Sequence, residues 1–204
     1  MNLNKLEELS NSEDRSIRQT VVHDISCTDQ LMEKLSNDEN VYVRSTVASQ
    51  TISRTLLTKL STDKDWFVRC NVVINENTPD DILFKLLDDE HQNVKYMFIK
   101  NNVYPKQTSI DFVVDKFINE TISKHKCFEC EGKETPVVAS LKCMIALDLN
   151  KKIHTKTNFF EILSKDLNCY VRASVANNEH CPKDILEKLK KDECYWVKIN
   201  ADKK

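Results

Sequence analysis

Cys127-x-x-Cys130, with His125 two residues ahead, is a compact set of soft metal ligands. A tetrahedral structural zinc needs four ligands. This segment offers two thiolates and an imidazole, and Cys143 or His154 stand as candidates to complete the set. The competing reading is a free thiol pair in an exposed loop. A thioredoxin-like redox role would need a βαβ context that the flanking sequence lacks. No Ser, His and Asp grouping suggests nucleophilic catalysis. The acid pairs Asp80-Asp81 and Asp88-Asp89 fall at helix starts and turns, where capping and solvation account for them.

A second chemistry lies in a column of cations. Arg18, Arg44, Arg69, Lys95, Arg172 and Lys198 each follow an Ile or Val, and in five of the six an Asp stands six residues earlier: Asp38, Asp63, Asp89, Asp166 and Asp192. Asp and Arg at that spacing can stitch neighbouring segments together as ion pairs. The alternative is a phosphate-binding stripe. Arg18, preceded at that offset by Ser12, and Lys142, a weaker member of the column, lack the matching Asp and are the freest for that work.

Aromatic side chains form a third column. Tyr42, Phe67, Tyr170 and Trp196 stand two residues before the cation, with Trp66 alongside Phe67. Because the next residue is an inward-facing Val, these rings are expected at a rim, partly packed on the preceding segment. Exposed Trp and Tyr are also typical anchors of interfaces, so the rim is a candidate partner-binding ridge.

The elements that position these columns recur with them. Nine residues before each cation is a Leu (Leu9, Leu35, Leu60, Leu86, Leu163, Leu189), and twelve before is Leu6, Met32, Leu57, Leu83, Phe160 or Leu186. Cassettes recur every 25 or 26 residues within 1–104 and 159–202, the mark of a repeat architecture. Leu56, Leu57 and Leu60 share one face of a short helix that Ser53 can cap, and a second helix opening near Trp66 turns Val68, Val72 and Val73 inward. The inward pair recurs as Val21-Val22, Val47-Ala48, Phe98-Ile99 and Val175-Ala176. Pro79, Pro105 and Pro182 are placed to start helices. Asp24, Gln50, Asn75, Asn101 and Asn178 are placed to satisfy loose backbone groups where second helices end. Cys27 and Cys181 share an offset that suits packing. Helices this short need neighbours to cover their apolar faces.

The expected architecture is all-α: one domain over 1–204, an α-solenoid of about seven two-helix repeats. Repeats are regular over 1–104 and 141–204, and an irregular insertion with the Cys pair occupies 105–140. Within the irregular stretch, Ile110 to Ser123 reads as a longer amphipathic helix and Val137 to Leu149 as another inward one.

Composition narrows function. The single glycine, Gly132, excludes glycine-rich nucleotide loops and disfavours tight hairpins. Thirty basic against 32 acidic residues give a net charge of −2, so no global field favours nucleic acid. No stretch has the apolar length of a membrane span, and the first residues lack a signal-peptide core, so a cytoplasmic protein with free thiols is expected.

The order Leu-x-x-Leu, Asp, Val-Arg-x-x-Val-Ala, Asn, Pro resembles the leucine-rich variant repeat and, more broadly, HEAT-like repeats; it is plainest in Val171-Arg172-Ala-Ser-Val-Ala176-Asn-Asn178 with Pro182. The likeness covers 5–104 and 159–202. It implies a right-handed superhelix of stacked helix pairs, used mostly as scaffold or adaptor. Some variant-repeat proteins carry an iron–sulfur cluster on a terminal Cys motif, but no Cys precedes Cys27 here. Deoxyhypusine hydroxylases of HEAT-like build hold iron with His-Glu pairs, which are reversed here at Glu90-His91 and Glu179-His180. The alkylpurine glycosylase type needs a basic groove that this charge balance does not supply. The expected function is a non-catalytic scaffold that binds a protein through its concave face and aromatic rim, with no obligatory cofactor. Nucleic-acid binding through the Arg/Lys column and a zinc or redox module at Cys127 and Cys130 are the alternatives.

Overall fold

The computed structural model describes residues 1–120, 141–149 and 158–203. Among them the protein is all-helical, with fourteen α-helices and no strand. It divides into two compact units, Met1–Phe98 and Ile99–Lys204.

In the first unit, seven-residue helices alternate with helices of nine or ten residues. The short ones are α1 (Leu3–Leu9), α3 (Asp29–Leu35), α5 (Arg54–Leu60) and α7 (Asp80–Leu86). The longer ones are α2 (Arg15–His23), α4 (Val41–Gln50) and α6 (Trp66–Ile74), followed by the start of α8 (Gln92–Lys100). Local chemistry sets these bounds. Asn2, Thr28 and Ser53 accept a hydrogen bond from the backbone N–H three residues on, at Lys5, Leu31 and Leu56, which opens α1, α3 and α5. Ser10, Ser36 and Ser61 then donate their hydroxyls to the carbonyls of Glu7, Glu33 and Thr58, satisfying acceptors in the last turn. Pro79 sits one residue ahead of α7, at its N-cap, where its missing N–H costs nothing.

The longer helices pack in sequence, α2 on α4 and α4 on α6, and α3 and α5 each touch the longer helix before and after them. Leu6, Val21, Val43, Val47, Leu57, Val68 and Val72 are fully buried at this seam. Fully burying such a side chain is worth about 1.5–3 kcal/mol, and a seven-residue helix could not persist without it. Two expected core positions shift by one residue: Leu31 rather than Met32, and Ile185 rather than Leu186, is buried.

The second unit repeats the scheme. The long helices α10 (Leu141–Asp148), α12 (Cys169–Asn177) and α14 (Tyr195–Asp202) pack in order. Beside them lie α11 (Phe159–Leu163) and α13 (Lys183–Leu189), and α9 (Ile110–Glu120) packs on α10. Helix α9 is the longer helix expected from the sequence, and 121–123 lie outside the described residues. Pro105 does not start it. The helix opens five residues later, at Ile110, after a turn in which the Thr108 N–H donates to the Pro105 carbonyl.

Asparagines tie successive long helices together at their ends. Asn75 Nδ2 donates to the carbonyls of Ala48 (2.8 Å) and Thr51 (2.9 Å), and Asn178 Nδ2 to Ala146 (2.8 Å), Leu147 (3.0 Å) and Leu149 (2.9 Å). The expected role is thus met with the carbonyls of the preceding long helix, 24 to 32 residues back. Asp24 instead accepts from the Ser26 N–H and, 23 residues back, from the N-terminal ammonium.

Candidate functional site

Arg18, Arg44, Arg69, Lys142 and Arg172 of the cation column are held in ion pairs. Arg18 donates Nε and Nη2 to the two oxygens of Asp38 at 2.6 and 2.8 Å. Arg44 grips Asp63 (2.7 and 3.0 Å), Arg69 grips Asp89 (2.6 and 2.9 Å) and Arg172 grips Asp192 (2.7 and 2.8 Å) in the same fork. The third nitrogen, Nη1, turns back to its own interhelical turn, to the carbonyl of Ser12, Asp38, Asp63 or Asp166. One guanidinium therefore joins two turns about 20 residues apart, a geometry that suits its rigid planar donors.

Each carboxylate is equally engaged, because Oδ1 of Asp38, Asp63, Asp89 and Asp192 also accepts the backbone N–H two residues on. Burial alone would push the Asp38, Asp63 and Asp192 carboxyls up. The hydrogen bonds from arginine, aided by that N–H, outweigh it and hold all three below the ordinary aspartate range. The same hydrogen bonds push the Arg18, Arg44, Arg69 and Arg172 guanidinium groups up against their own desolvation.

This geometry corrects the expectation that Arg18 and Lys142 lack a carboxylate. The partner is the Asp of the following cassette, not the one six residues earlier. Arg18 therefore has Asp38, and Lys142 Nζ lies 2.8 Å from Asp166 Oδ2. Both cations are about 8% exposed, so a phosphate would have to displace a buried partner. Ser12 keeps the turn without the charge: its hydroxyl accepts from Asp14 N–H.

The aromatic column lies on the first turn of the long helices, held there by caps that the sequence reading overlooked. Asp14, Asn40 and Asp65 each accept from the N–H two residues on, at Ser16, Tyr42 and Phe67. His91 does likewise with Nδ1 toward Asn93, and Asn168 toward Tyr170. The missed signal is a column four residues before each cation.

In the first unit these caps bring Tyr42, Trp66 and Phe67 together. The Tyr42 and Phe67 rings meet edge to face at 5.8 Å, and Phe67 meets Trp66 the same way at 5.9 Å. Two residues not picked out in the sequence extend the row. The Arg15 guanidinium lies 4.4 Å from the Tyr42 ring centroid, and the His91 imidazole stacks on Trp66 at 4.7 Å with the planes 4° apart. Tyr42 is 46% and Phe67 36% exposed. In the second unit Tyr170 is half-buried, while Tyr195 (69%) and Trp196 (51%) are the more open rings.

A cleft of about 390 Å³ lies at the first two interhelical turns, lined by Asn11, Ser12, Glu13, Arg18, Asp38 and Glu39. His125, Cys127 and Cys130 lie outside the described residues, as does His154. Among the described residues no three His, Cys, Asp or Glu side chains converge as metal ligands, and no helix is long and apolar enough to cross a membrane. Burial pushes the Cys70 thiol up to about 12 and Cys169 up to about 11, which leaves these thiols protonated and poorly nucleophilic near neutral pH. No protein-family model and no curated protein matches the chain.

Proposed function

We propose that this protein is a non-catalytic scaffold: a right-handed α-solenoid of about seven two-helix repeats, of the leucine-rich variant or HEAT-like kind, that binds a protein partner through its aromatic rim. One contrast carries the reading. Arg18, Arg44, Arg69, Lys142 and Arg172 are buried and spent on aspartates, whereas Tyr42, Phe67 and Trp196 of the aromatic column stay open to solvent. Nucleic-acid binding through that column would need the cations exposed. Packed helix pairs supply a long surface from small units, which suits recognition better than an enclosed reaction.

Two measurements test it. Small-angle scattering should give a radius of gyration well above the roughly 17 Å of a compact domain of this length. Affinity capture from the source cell should recover a partner with wild-type protein and lose it with a Tyr42→Ser, Phe67→Ser, Trp196→Ser variant that retains the wild-type helical circular dichroism. Capture that survives all three substitutions, or salt-sensitive binding to random-sequence DNA as tight as to any protein, overturns the scaffold reading.

A further inference from the structure

From the rim of the first unit we infer a cation-recognising surface whose partner is an arginine-bearing basic peptide segment. This inference rests on the scaffold reading and names the chemistry of its ligand. The protein already displays the interaction, since the Arg15 guanidinium lies against the Tyr42 ring. Aromatic faces attract cations through their quadrupole, and Trp66, Phe67 and Tyr42 adjoin one another edge to face.

The charges beside the row have the complementary sign. The residue before each cap is Glu13, Glu39, Lys64 and Glu90 in turn, so three of these four turns present an exposed carboxylate: Glu39 precedes Tyr42 on its own turn, and Glu13 and Glu90 lie close in sequence to Arg15 and His91, which contact the row. None of the three glutamates forms a salt bridge among the described residues. The cleft between the first two turns holds one cation, Arg18, against the carboxylates of Glu13, Asp38 and Glu39. Because Arg18 and Asp38 neutralise each other at short range, Glu13 and Glu39 set the sign that an incoming side chain meets. An anionic, aromatic surface repels nucleic acid and acidic peptides and draws guanidinium groups, which also stack on rings better than ammonium does. Lys64 interrupts the acidic row and supplies a way to strengthen it.

The test uses the full chain in a Trp196→Phe background, so that Trp66 reports alone by fluorescence. The probe is a synthetic ten-residue peptide of alternating Arg and Gly, with the corresponding Glu-Gly peptide and a twenty-base oligothymidine as controls. Saturable binding of the Arg peptide is expected, and the controls should not bind. Replacing Glu13, Glu39 and Glu90 by Gln should weaken it about tenfold at low salt, while Lys64→Glu should tighten it a few-fold. A wild-type protein that ignores the Arg peptide, equal binding of either control, or a Gln variant that binds as wild type overturns the inference. Repeating the cellular capture with the Gln variant separates the two levels. If the partner is lost on Tyr42→Ser and Phe67→Ser but kept by the Gln variant, the rim stands and the cationic ligand falls. If the partner survives every substitution, both fall.

Discussion

The two units use one ion-pair rung in different ways. In Met1–Phe98 three arginines in succession fork onto Asp38, Asp63 and Asp89, and each sends a third nitrogen back to its own turn. In Ile99–Lys204 the Arg172 rung is the same, while at the Lys142 rung an ammonium Nζ lies 2.8 Å from Asp166 Oδ2. An ammonium can satisfy the charge of a buried aspartate. It lacks the rigid planar fork of a guanidinium, so it meets the carboxylate as a point charge. The rims differ in parallel: rings in the first unit brace one another, while Tyr195 and Trp196 in the second stand further into solvent.

The largest expected effect comes from breaking a full rung. Arg44→Ala leaves Asp63 buried without its cation and should cost about 3–5 kcal/mol in urea denaturation. Lys142→Ala should cost clearly less, because a point contact rather than a two-nitrogen fork is lost. Equal costs would erase the distinction between forked and point contacts. Conversely, Lys142→Arg should stabilise by adding the second nitrogen of the fork to Asp166, and a neutral or negative result would mean that the second unit selects lysine for space.

The asparagine ties come next. Asn75→Ala strands the carbonyls of Ala48 and Thr51, and Asn178→Ala those of Ala146, Leu147 and Leu149, so each should destabilise by about 1–3 kcal/mol. The Asn178 change should be the larger, as read from paired melting curves.

Acid titration probes the rungs together. The Asp38, Asp63 and Asp192 carboxyls sit lower in the folded than in the unfolded chain, where aspartate titrates near about 3.9. Their stabilisation is therefore fully present above that value and is lost as pH falls through the folded values. Thermal melts should hold steady from neutrality toward pH 5 and drop below pH 4. A paired Arg44→Met, Asp63→Leu variant should show a shallower acid limb, and an unchanged limb would remove this rung from the account. The smallest change is expected from Arg15→Ala, whose cation–π contact with Tyr42 is exposed and worth about 0.5–1 kcal/mol. A loss much beyond that would mean Arg15 braces the first unit.

The helix positions of the aromatic column were readable from the sequence. The offset of Tyr42, Phe67, Tyr170 and Trp196 from the cation put them on the first turn of the long helices. Arg15 and His91 were not readable as members of the row, because their contacts join rings 25 or 27 residues away whose approach depends on how neighbouring helices pack. The N-cap column was legible in principle, since Asp14, Asn40, Asp65 and Asn168 recur at one offset and all are strong capping residues.

What the amino-acid order alone determined is the local grammar: where most short helices begin and end, which face of each is apolar, and that a cation follows an Ile or Val near the start of the long helices. These depend on interactions within a few residues, so periodicity and capping chemistry suffice to read them. Tertiary packing decided the partners. The Asp six residues before an arginine lends that arginine its backbone carbonyl, while its carboxylate serves the arginine of the preceding cassette. That exchange is set by the spacing between packed helices, a distance between elements that no interval along the chain encodes.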